Sequence, residues 1–328
     1  MKKKYVIKTL LKDFIESKRP AMVQRDYNIP INSGKIISLI GARRSGKTFL
    51  LYQLMANIPV QGLIFINFED ERLELQADEL DLILQAYLEL YPENYDLSDC
   101  YFFFDEIQNI TGWEKFIRRL YDTISKNIFI TGSNAKMLSS EISTTLRGRS
   151  ISYTIYPLSF KEMLRFKAIS SDIYSTSNRA LIYSVLDTYL SEGGFPELVF
   201  ITDNEIKQKT LPEYYQVMLF RDLVDRYQIS NIAGLKFFLK RLYAFVTKQV
   251  SIHRIFNELK SAGIPIGKNA LYQFLDYAET IFMIGNLKKY SHKISTIELS
   301  EKKVYAIDNG LANAVNFRFS ADLGKALE

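Results

Sequence analysis

Apolar positions fall into two kinds of pattern along this chain. Five short runs, at 35–41, 62–68, 100–106, 127–132 and 150–157, are almost uniformly apolar and rich in Ile, Phe and Leu. Runs of that length without polar alternation predict strands buried on both faces of a parallel sheet. Between them, apolar residues recur at helical spacing over 47–56, 73–90 and 113–124 and around 137–145. Strand and helix in alternation predict an open α/β unit with right-handed crossovers. Ahead of it, residues 1–34 read as an amphipathic segment closed by an Asn32-Ser33-Gly34 turn.

After Pro157 the strand runs stop. Segments 159–166, 178–191 and 205–227 have helical spacing, and Gly193-Gly194-Phe195-Pro196 between them reads as a turn. The last third predicts a long helix over 232–250 and a shorter one over 251–261, with Ser251 as N-cap and Gly263 as stop. A further helix over 268–281 precedes a hairpin of 283–290 with 302–307. Three helices followed by a hairpin are the layout of a winged helix-turn-helix. The expected division is therefore 1–157 for the α/β core, 158–228 for a helical subdomain, 229–307 for a winged-helix domain and 308–328 for the start of another domain.

Composition narrows the classes. The chain has 328 residues, 47% hydrophobic and 24% charged, which is globular rather than disordered. A single cysteine and two histidines exclude a disulfide framework and leave too few ligands for a structural zinc site. No stretch approaches the roughly 18–20 apolar residues of a membrane span, and the expected location is cytoplasmic. The net charge of +5 is unevenly placed. Residues 1–150 carry 20 basic and 19 acidic side chains, 151–227 carry 8 and 10, and 228–328 carry 14 and 8. The basic excess in the last third points to an acidic partner there, with duplex DNA bound through 229–307 as the reading to test.

One motif carries chemistry. Gly41-Ala42-Arg43-Arg44-Ser45-Gly46-Lys47-Thr48 matches G-x-x-x-x-G-K-[ST], follows a predicted strand and, with Phe49, opens a predicted helix. Gly41 and Gly46 let the backbone curl so that its N–H groups face phosphate oxygens, and the helix adds its positive end. Lys47 is positioned to reach the β- and γ-phosphates of a nucleotide, and the Thr48 hydroxyl to ligate Mg²⁺. Arg43 and Arg44 lie inside the loop, where side chains point away, and take no assigned role.

Two strand ends complete the set. The apolar run 101–104 terminates in Asp105 and Glu106. Asp105 is a Mg²⁺ holder, and Glu106 the group that polarises the water attacking the γ-phosphate. The next run ends in Ser133 and Asn134, either of which can hydrogen-bond the γ-phosphate or that water, since ligands of such sheets bind at the carboxyl ends of the strands. Arg147 and Arg149, just before the fifth run, are candidates for a guanidinium that meets developing phosphate charge, in this subunit or a neighbouring one.

These residues resemble those of the prokaryotic AAA+ ATPases that join an AAA-type domain, a winged helix and a C-terminal nuclease-like domain of unknown function. The resemblance runs through the 41–48 loop, 67–72, 104–108 with Trp113, 131–134, 146–149, 157–160, 193–197 and 305–310. It implies a five-stranded sheet in the order 5-1-4-3-2 and a helical lid whose Gly193–Pro196 turn lies on the adenine side. It implies that Ser133 or Asn134 is a sensor and that Arg147 or Arg149 is an arginine finger. Relatives continue past 322–328 into the nuclease-like domain, where this sequence ends; no carboxylate–lysine set is available after Asp308, and nuclease activity is not expected.

The primary expectation is Mg²⁺-dependent hydrolysis of ATP to ADP and phosphate, coupled to DNA. The alternatives are a slowly hydrolysing nucleotide switch and a DNA-binding regulator acting through the winged helix. Self-association is suggested only by the trans arginine.

Overall fold

A computed structural model describes residues 2–93, 96–133, 145–293 and 300–315, together with Ile297 and Leu327. The predicted helix around 137–145, and Asn134 before it, lie outside the described residues apart from Thr145. The chain divides into two compact units, one of Met1–Gly41 with Gly46–Ile155, the other of Ala42–Ser45 with Tyr156–Glu328.

The first unit is a five-stranded parallel sheet with helices. Its strands are β1 (Ile36–Ile40), β2 (Leu63–Asn67), β3 (Tyr101–Asp105), β4 (Ile128–Gly132) and β5 (Ser150–Thr154), in the order β2-β3-β4-β1-β5. Read in reverse this is the expected 5-1-4-3-2. The helices are α1 (Lys2–Glu16), α2 (Lys47–Met55), α3 (Asp81–Leu90) and α4 (Trp113–Thr123). Every residue of β1 and β4 is buried, as an uninterrupted apolar run requires, and Phe103 stacks on Phe129 at 4.6 Å between ring centroids. β5 is the exception. As an edge strand it is only partly buried, so Ser150, Ser152 and Thr154 can alternate with larger residues. The predicted helix over 73–90 begins only at Asp81, because a capping box between Gln76 and Glu79 turns the chain first. Ile40 pairs with Gly132 and Phe104 with Ile130. The residues that follow β1, β3 and β4 therefore emerge at one edge of the sheet.

The second unit is mainly helical. It contains α5 (Phe160–Phe166), α6 (Thr176–Glu192), α7 (Pro196–Phe200) and α8 (Asn204–Val217), which runs into a wider π-helical stretch over Met218–Asp225. Next come α9 (Ile232–Ala244), β6 (Gln249–Val250), α10 (Ile252–Ser261), α11 (Lys268–Thr280), β7 (Ile284–Leu287), β8 (Lys302–Ala306) and α12 (Asn309–Val315). The predicted helix over 232–250 stops early: Thr247 takes a left-handed φ of 68°, and Gln249–Val250 joins β8 antiparallel. β7 and β8 form the expected hairpin, giving a three-stranded sheet in the order β6-β8-β7. Ser251 caps α10 by accepting from the Arg254 N–H. At Gly193–Pro196 the chain turns, and Pro196 then starts α7 at a position where its missing N–H costs nothing. Among the described residues no helix is long and apolar enough to cross a membrane.

Asp308 fastens the start of α12 to the end of α6. One carboxylate oxygen accepts from the Gly194 N–H at 2.6 Å and the other from the Leu311 N–H at 2.9 Å. Burial pushes its carboxyl up to about 6, against the opposing pull of the backbone N–H groups of Gly194, Leu311 and Gly310. A carboxyl whose pKa is higher in the fold than in the unfolded chain stabilises the fold most below the unfolded value, and that contribution is lost as pH rises through the folded one. The wild type is therefore expected to lose about 2 kcal/mol between pH 4 and pH 6.5 relative to Asp308→Asn, whose side chain does not titrate. Urea unfolding midpoints of both proteins across that range measure it, and parallel profiles would refute it.

Candidate functional site

The 41–48 loop follows β1 and opens α2. Gly46 takes φ 94° and ψ 23°, a left-handed conformation that a Cβ would strain, and it accepts the first helical hydrogen bond from Leu50 at 3.0 Å. Arg44 shares that hand at φ 64°, and the Ser45 N–H closes a turn on the Ala42 carbonyl at 3.2 Å. Ala42 and Ser45 are buried. Phe49, one residue past the motif, is half-exposed and meets the Tyr52 ring edge-on at 5.9 Å.

The Thr48 hydroxyl donates to Asp105 Oδ2 at 2.7 Å. On the other side of the same carboxylate, Thr131 Oγ1 donates to Oδ1 at 2.5 Å and itself accepts from the Glu106 N–H at 2.8 Å. Asp105 is fully buried, and that desolvation raises its pKa, while the two threonine hydroxyls and Lys47 pull it down and Glu106 pushes it up. A buried carboxylate beside a hydroxyl is a hard-oxygen pair suited to Mg²⁺, which takes one or two protein oxygens and leaves the rest to phosphate and water. Among the described residues no cluster of three or more His, Cys, Asp or Glu could hold a metal by itself.

Lys47 is also buried. Its ammonium lies 3.5 Å from Glu106 Oε1 and donates to the Gly41 carbonyl at 3.2 Å. Glu106 sits where β3 ends, in a left-handed conformation at φ 50° that costs a non-glycine residue on the order of 1–2 kcal/mol. Its second oxygen, Oε2, accepts from Gln108 Nε2. Ser133, at the end of β4, is buried with its Oγ unpartnered among the described residues, an arrangement that costs roughly 1–3 kcal/mol unless a ligand or water completes it. Lys47, Thr48, Asp105 and Glu106 thus converge in one unit.

The arginine candidates separate. Arg149 forms a two-pronged ion pair with Asp122 at 2.8 and 3.0 Å, whereas Arg147 is exposed at a left-handed position, φ 50°. Arg43 and Arg44, assigned no role from sequence, are engaged within the second unit. Arg43 pairs with the buried Asp222 at 3.3 Å. Arg44 meets Glu197 at 2.5 Å and lies 4.7 Å over the Tyr214 ring. Pro196 stands at the start of α7, beside Glu197. The 67–72 segment closes a polar turn: the Asn67 side chain accepts from the Glu69 N–H at 2.9 Å, and Arg72 bridges Asp70 and Asp13.

Thr131 and Gln108 fall within the segments 131–134 and 104–108 that carry the family resemblance, but the sequence assigned neither a role. A hydroxyl next to Ile130 in an otherwise apolar strand was the available signal for Thr131, because a buried side-chain donor must find a partner. Gln108, in a short turn, carried no such signal.

A family model described as an AAA domain matches residues 33–164, and one described as a domain of unknown function (DUF8612) matches 184–322. An uncharacterized protein of Methanocaldococcus jannaschii is 38% identical over 99% of this chain and 72% of its own length. The chain belongs to the same family as this protein, with an AAA domain over residues 33–164. A second relative, an uncharacterized protein of Haemophilus influenzae, is 31% identical over 90% of this chain and 72% of its own length. Among solved structures, Cdc6p from Pyrobaculum aerophilum aligns over 87% of this chain and 88% of its own, at 15% identity and a TM-score of 0.34. The two family matches place the AAA region on the sheet unit and the second region on the helices that follow.

Proposed function

We propose that this AAA-family chain binds Mg·ATP at the 41–48 loop and hydrolyses it to ADP and phosphate. The observation that carries the reading is the continuous network from Thr48 through Asp105 and Thr131 to the backbone of Glu106, with Lys47 against the Glu106 carboxylate. A phosphate-loop hydroxyl, a buried carboxylate and a second carboxylate within one network are the groups that phosphoryl transfer to water uses, and their proximity supports the reading.

The loop N–H groups and Lys47 bind and orient the phosphates. Thr48 and Asp105 would hold Mg²⁺, which when bound neutralises charge on the transferring phosphoryl group. Glu106 takes the proton of the attacking water. Ser133 Oγ, buried without a partner among the described residues, supplies a hydrogen bond to the γ-phosphate or that water. Arg147 is the finger we favour, because Arg149 is already engaged by Asp122.

Phosphate release from Mg·ATP, measured across protein concentrations for wild type, Lys47→Ala and Arg147→Ala, tests this. Wild-type release above the Lys47→Ala background is expected, with specific activity that rises with concentration in wild type and not in Arg147→Ala. Equal release from wild type and Lys47→Ala would end the ATPase reading. Flat, slow release despite ATP binding would favour the switch.

A second proposal is DNA contact through α11 and the β7–β8 hairpin, taken as a winged helix. It is supported by the exposed face Lys268, Asn269, Tyr272 and Gln273 on α11 and by the exposed Lys288, Lys289 and Tyr290 after β7. Phe274 and Tyr277 are not part of that face: the first is buried, and the second stacks on Tyr227 at 3.7 Å. Addition of duplex DNA to the same assay, at low and high salt, tests the proposal, since phosphate contacts weaken steeply with salt.

A further inference from the structure

We propose that Gln108 is a positioning residue for Glu106, fixing one carboxylate oxygen so that the other receives the proton of the attacking water. The inference rests on the ATPase reading and adds to it a residue outside the phosphate loop and the strand-end carboxylates.

The backbone around Glu106 is already tied. The Asn109 N–H donates to the Glu106 carbonyl at 3.1 Å and the Ile110 N–H to the Ile107 carbonyl at 3.0 Å. Asn109 Nδ2 reaches back to the Phe68 carbonyl at 3.2 Å, and Ile107 is fully buried. These bonds fix the backbone only, and the orientation of the Glu106 carboxylate is set by what its side chain meets. A general base must present one oxygen at hydrogen-bond distance from a water, and small errors in that geometry cost rate steeply. Gln108, two residues on in the same turn, donates from Nε2 to Glu106 Oε2.

The orientation of the amide is dictated by its partner. An ionised carboxylate only accepts hydrogen bonds, so the NH₂ end of Gln108 must face it. The amide oxygen is then buried and has no partner among the described residues. Gln108 as a whole is only partly buried, and a glutamine in such a turn could swing out and hydrate both ends. It leaves an oxygen unsatisfied and keeps the contact to Glu106 instead. That preference is the sign that the contact itself determines where the side chain sits.

The consequence is a division of labour between the two carboxylate oxygens. Oε2 is occupied by Gln108, and Oε1 lies beside the Lys47 ammonium at 3.5 Å. Phosphates draw Lys47 toward themselves and release Oε1. In the hydrolysis, the water oxygen bonds the γ-phosphorus and the bond to the β–γ bridging oxygen breaks, its electron pair leaving on ADP. The water proton passes to Glu106 Oε1, while Gln108 is unchanged throughout.

The test uses the full chain with Mg·ATP, reading kcat, KM and the affinity for a fluorescent ATP analogue from pH 5.5 to 8.5. Gln108→Met keeps the length of the side chain and removes the donor. It is expected to lower kcat about 10–100-fold while analogue affinity changes less than about threefold, the mark of an interaction that matters only in the transition state. A glutamine that served only the fold would lower analogue affinity and melting temperature along with kcat. Wild-type kcat in Gln108→Met, or a loss of analogue affinity as large as the loss of kcat, overturns the proposal while leaving the ATPase reading intact. If wild type itself releases no more phosphate than Lys47→Ala, the ATPase reading fails and this inference falls with it.

Discussion

Glu106→Gln is expected to bind Mg·ATP at least as tightly as wild type and to turn it over roughly 10²–10⁴-fold more slowly. The loss of rate follows from chemistry alone, since an amide of the same shape cannot accept the water proton. The effect on affinity follows from geometry. Before nucleotide arrives, the Lys47 ammonium lies 3.5 Å from Glu106 Oε1, with both groups buried. ATP must draw Lys47 from that partner. Removing the carboxylate charge removes the competition, so Lys47 has more to gain from phosphate. It also leaves a buried ammonium with less compensation, which costs the nucleotide-free protein stability. Two readouts should therefore move together. The melting temperature of the apo variant should fall below that of wild type, and the rise on adding Mg·ATP should exceed the wild-type rise. A variant that turns over normally, or that loses ATP affinity with its rate, would move the catalytic carboxylate elsewhere.

The sheet was legible because its strands are buried on both faces, which leaves five contiguous apolar runs at strand length. The phosphate loop was legible because its chemistry is contiguous, with glycines, lysine and threonine all within eight residues. Legibility failed where structure depends on partners remote in sequence. The overlong helix over 232–250 is one case. Its apolar spacing continues past Ala244, but the Thr247 N–H donates to Val304 and draws Gln249–Val250 into a sheet with β8. The arginines of the loop are another, since Asp222 and Glu197 lie far along the chain and no local pattern announces them. Thr131 and Gln108 were missed for a third reason. Each hydrogen-bonds an acidic side chain at the end of β3, and a supporting group has no spacing rule of its own.

Gly310→Ala is the change expected to cost most in stability, and its reason is packing rather than backbone angle. A Cβ at Gly310 would stand 2.0 Å from the Glu192 carbonyl oxygen and 2.4 Å from its carbon. Both are backbone atoms at the end of α6, and neither can step aside as a side chain would. The same junction is closely packed elsewhere. Asp308 holds the Gly194 and Leu311 N–H groups, Asn313 Nδ2 donates to the Ser191 carbonyl at 2.9 Å, and an added Cβ at Gly193 would lie 2.0 Å from Asp308 Oδ1. One methyl group must therefore part α6 from α12 by about an ångström or break the Asp308 clasp. Overpacking of a rigid site costs about 1–3 kcal/mol where neighbours can give, and a contact between two backbones sits at or above the top of that range. Gly285→Ala provides the contrast, since nothing lies within 4 Å of its added Cβ. Urea unfolding should show a loss of about 3 kcal/mol or more for Gly310→Ala and little change for Gly285→Ala. Amide exchange should localise the loss to 189–194 and 308–313. Equal stability of the two variants would mean that α6 and α12 are not held together as closely as these distances require.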